Sequence, residues 1–196
     1  YAIVNCLVGS EMCIRDSVIC THLHFDHVGG NTKIDQGKII PTFPNAKYWV
    51  SKENWSLANH PSQKDAGSFL ADDWKVLLEN SMLEIVSGNE AFIEGVDIFL
   101  SNGHTFGLMH PIISDGNQTI FYGSDLFPTV THIPIQWVMS YDIQPMVTIQ
   151  EKNELLKTMY EKNWILFFEH DPNFQACTIN WDGNKYKKKD RVTISE

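Results

Sequence analysis

Apolar residues fall along this chain in short runs separated by turn residues. Val18-Ile19-Cys20-Thr21 is apolar and β-prone and predicts a buried strand. Ala46 to Val50 has the same character, and Ser51 is placed to cap a short helix reaching about His60. Between Asp72 and Asn80, Trp74, Val76, Leu77 and Leu78 predict another helix. Leu83 to Val86 and Val96 to Leu100 predict strands. Pro111 to Ser114 and Thr119 to Tyr122 flank Asp115-Gly116-Asn117, a hairpin signal. The clearest helix is expected to start at Thr148, with Glu151 three residues on as a capping-box partner and Leu155, Leu156 and Met159 at helical spacing. Trp164 to Phe168 is a continuous apolar run, hence a buried strand leading to His170. Thr178 to Lys187 predicts a last hairpin around Asp182-Gly183. Strands alternating with helices, without internal repeats or an obvious linker, predict an α/β layered fold.

Composition narrows the possibilities. A chain of 196 residues can bury a substantial core, and 43% hydrophobic residues argues against disorder. The net charge of −9 disfavours a nucleic-acid substrate, which demands a basic footprint. The one basic run, Lys185-Tyr186-Lys187-Lys188-Lys189, reads as a solvated hairpin arm. No apolar stretch reaches the roughly 20 residues of a membrane span, so no membrane partner is expected.

The chemistry concentrates in one segment. His22-Leu23-His24-Phe25-Asp26-His27 places four metal-ligand side chains in six positions. Crowded ionisable groups are costly to desolvate unless paired or metal-bound, so a metal is the expected occupant. If strand geometry persists through His24, then His22 and His24 point to the same side and can grip one ion. Asp26 and His27 then fall in the following turn and suit a second ion. Gly29-Gly30 is expected to let the backbone bend tightly away.

This segment resembles the His-x-His-x-Asp-His signature of the metallo-β-lactamase fold superfamily. The resemblance asks for three further parts, and all occur in order: Asn102-Gly103-His104-Thr105, Phe121-Tyr122-Gly123-Ser124-Asp125, and Phe167-Phe168-Glu169-His170-Asp171. It covers nearly everything from Val18 onward. It implies an αββα sandwich with one metal on His22, His24 and His104, the other on Asp26, His27 and His170, and Asp125 bridging them. It also implies catalytic roles for Asp26 and Asp125. Nitrogen and oxygen ligands without thiolate suit two divalent ions, Zn foremost, with Mn, Fe or Co as alternatives. A bridging hydroxide is the implied nucleophile.

Asp125 separates this chain from the class B β-lactamases, which generally use Cys or Ser there. His24 separates it from the flavodiiron branch, which has Glu in that slot. The gaps from His104 to Asp125 and on to His170, with the Phe-Phe-Glu-His-Asp-Pro ending, look most like the acyl-homoserine lactonase and methyl-parathion-hydrolase group. The implied reaction is lactone or ester hydrolysis. Phosphotriester hydrolysis, glutathione-thioester hydrolysis and an inactive truncated product are the alternatives.

Only 21 residues precede the motif, where superfamily members carry a hairpin-rich sheet. Residues Asn5 to Ser17 read like a translated sequencing adapter joined to a truncated frame. Residues 1–17 are therefore expected to be a non-native leader, and 18–196 a single partial domain lacking some of its N-terminal sheet. Cys6 and Cys13 would then carry no biology, and Cys20 and Cys177 are too few for a disulfide framework.

Other residues invite roles. His60, His110 and His132 lie outside the ligand pattern and read as satisfied or surface histidines. In many relatives the Gly-His-Thr motif continues x-Gly-His, whereas here the second histidine is displaced to His110, so no role is borrowed for it. Phe25, Phe106, Phe127, Trp137 and Tyr141 are candidates for an apolar cleft, with a core role favoured for each. Asp142 and Asp171 are placed to orient ligand histidines, and Asp171 equally to cap a turn with Pro172.

Overall fold

The computed structural model describes residues 15–87 and 95–194. Most of the expected leader, 1–14, lies outside the described residues; of its last three, Ser17 opens the first strand. Two compact units divide the chain, residues 1–88 and 89–196.

The first unit runs β1 (Ser17–Ile19), α1 (Phe25–Val28), β2 (Thr32–Asp35), β3 (Lys38–Pro41), β4 (Lys47–Ser51), α2 (Lys52–Asn59), α3 (Lys75–Glu79) and β5 (Leu83–Val86). β1, β4 and β5 form a parallel sheet in the order β1-β4-β5, with Val18 opposite Tyr48 and Tyr48 opposite Leu83. β2 and β3 make a separate hairpin whose turn residues, Gln36 and Gly37, both have positive φ (48° and 79°), as a two-residue hairpin turn requires. Ser51 caps α2 as expected: its hydroxyl accepts from Asn54 N at 3.1 Å. The apolar positions of β4 turn Tyr48 and Val50 into a core with Cys20, Leu23, Val28, Phe43, Trp74 and Leu77. Tyr48 is fully buried, and its hydroxyl accepts from Phe43 N at 3.0 Å, so the ring's polar end is satisfied.

The second unit runs β6 (Val96–Ser101), β7 (Leu108–Ser114), β8 (Thr119–Tyr122), α4 (Pro145–Lys162), β9 (Ile165–Phe167), β10 (Ala176–Trp181) and β11 (Tyr186–Val192). Its six strands form one sheet in the order β11-β10-β9-β8-β7-β6. All neighbours are antiparallel except β8 and β9, which run parallel with α4 in the crossover between them. The expected turns at Asp115-Gly116 and Asp182-Gly183 are present, with Gly116 and Gly183 at φ 87° and 94°. Asp182 accepts from Asn184 N and Lys185 N, which closes the last hairpin, and Lys187 pairs with the same carboxylate. Leu155, Leu156 and Met159 of α4 pack with Phe121, Phe127, Leu166, Phe168, Cys177 and Ile179. Each such side chain is worth about 1.5–3 kcal/mol of burial.

Helix α4 starts three residues earlier than its pattern predicts. Pro145 is its first residue, where a missing N–H costs nothing, and Gln144 precedes it. Thr148 and Glu151 are thus inside the helix and form no capping box. Asn163 ends it in the left-handed conformation (φ 52°), its N–H bonded to Met159 and Tyr160 carbonyls. Among the described residues no helix is long and apolar enough to cross a membrane.

Candidate metal centre

In the first unit, β1 stops at Ile19, sooner than expected, and Cys20 N donates to Trp49 O at 2.9 Å before the chain leaves the sheet. His22 and His24 therefore sit in irregular backbone. They still converge, because Leu23 N between them donates to the buried Asn54 Oδ1 at 2.8 Å and His24 is extended (φ −68°, ψ 144°). The His22 ring lies 4.5 Å from that of His24 and 4.0 Å from that of His27, centroid to centroid. His22 and His24 are buried, and the side chain of His27 is 2% exposed. Asp26 and His27 occupy α1, where Asp26 Oδ2 is 3.5 Å from His27 Nε2 and the Asp26 side chain stays 44% exposed. The whole signature is one cluster. Its glycines do not act as expected: Gly29 is helical (φ −57°), it would accommodate a Cβ, and neither Gly29 nor Gly30 has positive φ.

In the second unit, three chain segments meet at Asp125. β8 ends at Tyr122, and Gly123 follows where a Cβ would lie 2.8 Å from Phe167 O. Ser124 then takes φ 41°, a strained conformation for a residue with a side chain, and a tight turn (Ser124–Leu126) presents Asp125. Asp125 Oδ2 lies 3.0 Å from His104 Nε2, and its Oδ1 lies 3.1 Å from His170 Nε2. His170 is positioned by its own N–H, which donates to Pro128 O at 3.0 Å.

His104 is held more tightly still. Its loop follows β6, and Asn102 N and Gly103 N both donate to the Glu151 carboxylate (2.7 and 3.1 Å). Gln144 N donates to Gly103 O and Ile143 N to His104 O. Gly103 packs so closely on α4 that a Cβ would fall 2.3 Å from Thr148 Oγ1. Asp142 Oδ1 lies 3.0 Å from His104 Nδ1, and Thr148 Oγ1 donates to Asp142 Oδ2 at 2.9 Å. Burial pulls the His104 pKa down, but the Asp125 and Asp142 carboxylates outweigh it and hold the value above the ordinary histidine range.

Asp142 thus orients a site histidine, as its place in the sequence foretold. Asp171 does not: its carboxylate accepts from Val130 N, Asn173 N and Phe174 N and caps the turn instead. Thr148 and Glu151 were the residues missed. Their spacing mimics a capping box, and the corrective signal is Pro145, which marks the helix start. His110 is a satisfied core histidine, bonded to Ser101 and Tyr122, and His132 lies 2.8 Å from Thr129 Oγ1. Of the five aromatics, only Phe127 is core. Phe25, Phe106, Trp137 and Tyr141 are 40–69% exposed, against the core role favoured for them.

Known proteins share the fold. Residues 16–170 match the family described as the metallo-beta-lactamase superfamily. No curated protein sequence matches significantly. Among solved structures, a probable metal-dependent hydrolase from Staphylococcus aureus superposes with a TM-score of 0.81 at 27% identity, over 98% of this chain and 67% of that one. AidC, a dizinc quorum-quenching lactonase, gives 0.79 at 20% identity over 95% and 68% of the two chains. The hydrolase AbOPH of the beta lactamase superfamily gives 0.78 at 20% identity over 96% and 68%.

Proposed function

Since the chain belongs to the metallo-beta-lactamase superfamily and is a hydrolase of that fold, we propose that it is a dinuclear metal-dependent enzyme that opens a lactone or ester bond in a small molecule. The observation that carries this reading is Asp125, with one carboxylate oxygen toward His104 and the other toward His170. A carboxylate placed between two imidazoles is what a bridge between two ions needs. The proposed ligands are His22, His24 and His104 for one ion and Asp26, His27 and His170 for the other, with Asp125 shared. This donor set of five imidazoles and two carboxylates fits Zn, and accepts Mn, Fe or Co.

Bound there, two divalent ions would polarise the substrate's carbonyl oxygen and bring the pKa of a water toward neutrality. The chain's own residues prepare for this. Asp142 accepts a hydrogen bond from Nδ1–H of His104, which would leave Nε2 to face an ion, and Thr148 fixes Asp142 in turn. Asp26 and Asp125 would supply negative charge against the cations, and Asp26, whose side chain stays 44% exposed, would accept the proton of the attacking water. Exposed Phe106, Trp137 and Tyr141 offer apolar surface to an acyl group. The lactone preference is also supported by the fold shared with AidC, a lactonase.

Purified protein is expected to carry close to two metal ions per chain by elemental analysis and to lose lactone hydrolysis with chelator. A panel of lactones, phosphotriesters and glutathione thioesters should show lactones or esters turned over fastest. Hydrolysis that survives the combined His104→Ala and Asp125→Asn change would overturn the proposal.

A further inference from the structure

His110 is fully buried in β7 and lies outside every ligand motif. Its Nδ1 is 3.0 Å from the Tyr122 carbonyl, which can only accept, so Nδ1 carries the proton. Its Nε2 is 2.8 Å from Ser101 Oγ and, in the neutral ring, accepts the hydroxyl proton. The ring stacks on Phe121 with centroids 5.1 Å apart and planes 18° from parallel.

The place of these contacts in the sheet gives them meaning. β7 separates β6 from β8, so no backbone ladder joins those two strands. The β7–β8 ladder ends at Ile112 opposite Phe121, one residue short of Tyr122. Beyond that point the His110 ring supplies the bond the ladder lacks. Ser101 closes β6 three residues before His104, and Tyr122 closes β8 three residues before Asp125. We propose that His110 is a positioning residue for the metal centre: by tying Ser101 to Tyr122 it fixes the separation of His104 and Asp125. This rests on the reading of those two residues as metal ligands.

The test uses the full chain with Zn and Co. His110→Phe keeps the ring volume and the stack on Phe121 but loses both hydrogen bonds; Ser101→Ala loses one; Ser101→Thr keeps the hydroxyl. Zn affinity, measured by competition with a chelating dye, is expected to fall by about 10- to 100-fold in His110→Phe and less in Ser101→Ala. Ser101→Thr should match wild type. The visible ligand-field bands of the Co-loaded protein should shift in the first two and not in the third. Melting of the metal-free proteins is measured alongside. Variants that lose metal-free stability while keeping wild-type Zn affinity and Co bands overturn the inference and leave the proposed function standing. Wild-type protein that takes up neither metal overturns both.

Discussion

At the scale of single residues, burial decides which of the chain's titratable groups act as acids and bases. His110 is the clearest case. Burial pushes its pKa down to about 4, and the bond to the Tyr122 carbonyl offsets this only partly. An unfolded chain holds the same group near the ordinary value of about 6.5. Between those two values the unfolded state binds a proton that the folded state refuses. Stability is therefore complete above about pH 6.5 and is lost as pH falls toward 4, by about 3 kcal/mol in all from this residue. Urea midpoints of the metal-free protein at pH 7 and 4.5 should differ less in His110→Phe than in wild type. Equal pH dependence in the two would contradict the burial argument. The contacts of Asp125 with His104 and His170, and of Asp142 with His104, join residues that the sequence already singled out by type and spacing; the seven ligand positions themselves remain part of the proposal. The exposure of Phe106, Trp137 and Tyr141 was not legible there, because an aromatic side chain looks alike in a core and on a surface.

At the scale of elements, α4 does more than cover a sheet. Its N-terminal turns hold the His104 loop through Glu151, through Thr148 and through the close approach at Gly103. Gly103→Ala would place a Cβ 2.6 Å from the Thr148 backbone, which cannot yield without moving the helix. The expected result is displacement of His104, with at least a tenfold loss of Zn affinity at a largely preserved far-ultraviolet circular dichroism spectrum. Glu151→Ala removes the acceptor of two backbone N–H groups and should cost about 1–3 kcal/mol in a denaturant titration. A midpoint unchanged from wild type would show that water replaces the carboxylate there. Most strands were legible from their apolar runs, and Ser51 from its place before a helix. The start of α4 was misread because Thr148 and Glu151 satisfy a capping pattern while serving a tertiary one. β1 ended early because strand propensity stops at the residue while the sheet stops at the last paired neighbour.

At the scale of the molecule, each unit has its own apolar core and its own share of the proposed ligands. If both shares bind the same ions, zinc stabilises the chain by mass action, by about 3 kcal/mol at a hundredfold excess over Kd. That corresponds to a rise in Tm of roughly 5–10 °C, readable by calorimetry. A Tm indifferent to zinc and to chelator would argue against a shared centre. The α/β fold was legible from the motif order, which residues 16–170 and the shared fold of the solved structures bear out. The division into two units was not, because no change of composition marks it. The lysine run has a consequence on this scale too. Among the described residues β11 is the last strand of its sheet, and residues 187–191 stand exposed along it. A second copy laying the same strand alongside would bring two cationic rows within about 5 Å of each other. Sheet growth from that side is thus opposed by charge, and the opposition weakens as salt screens it. High ionic strength, rather than low, is the condition under which this chain will tend to self-associate.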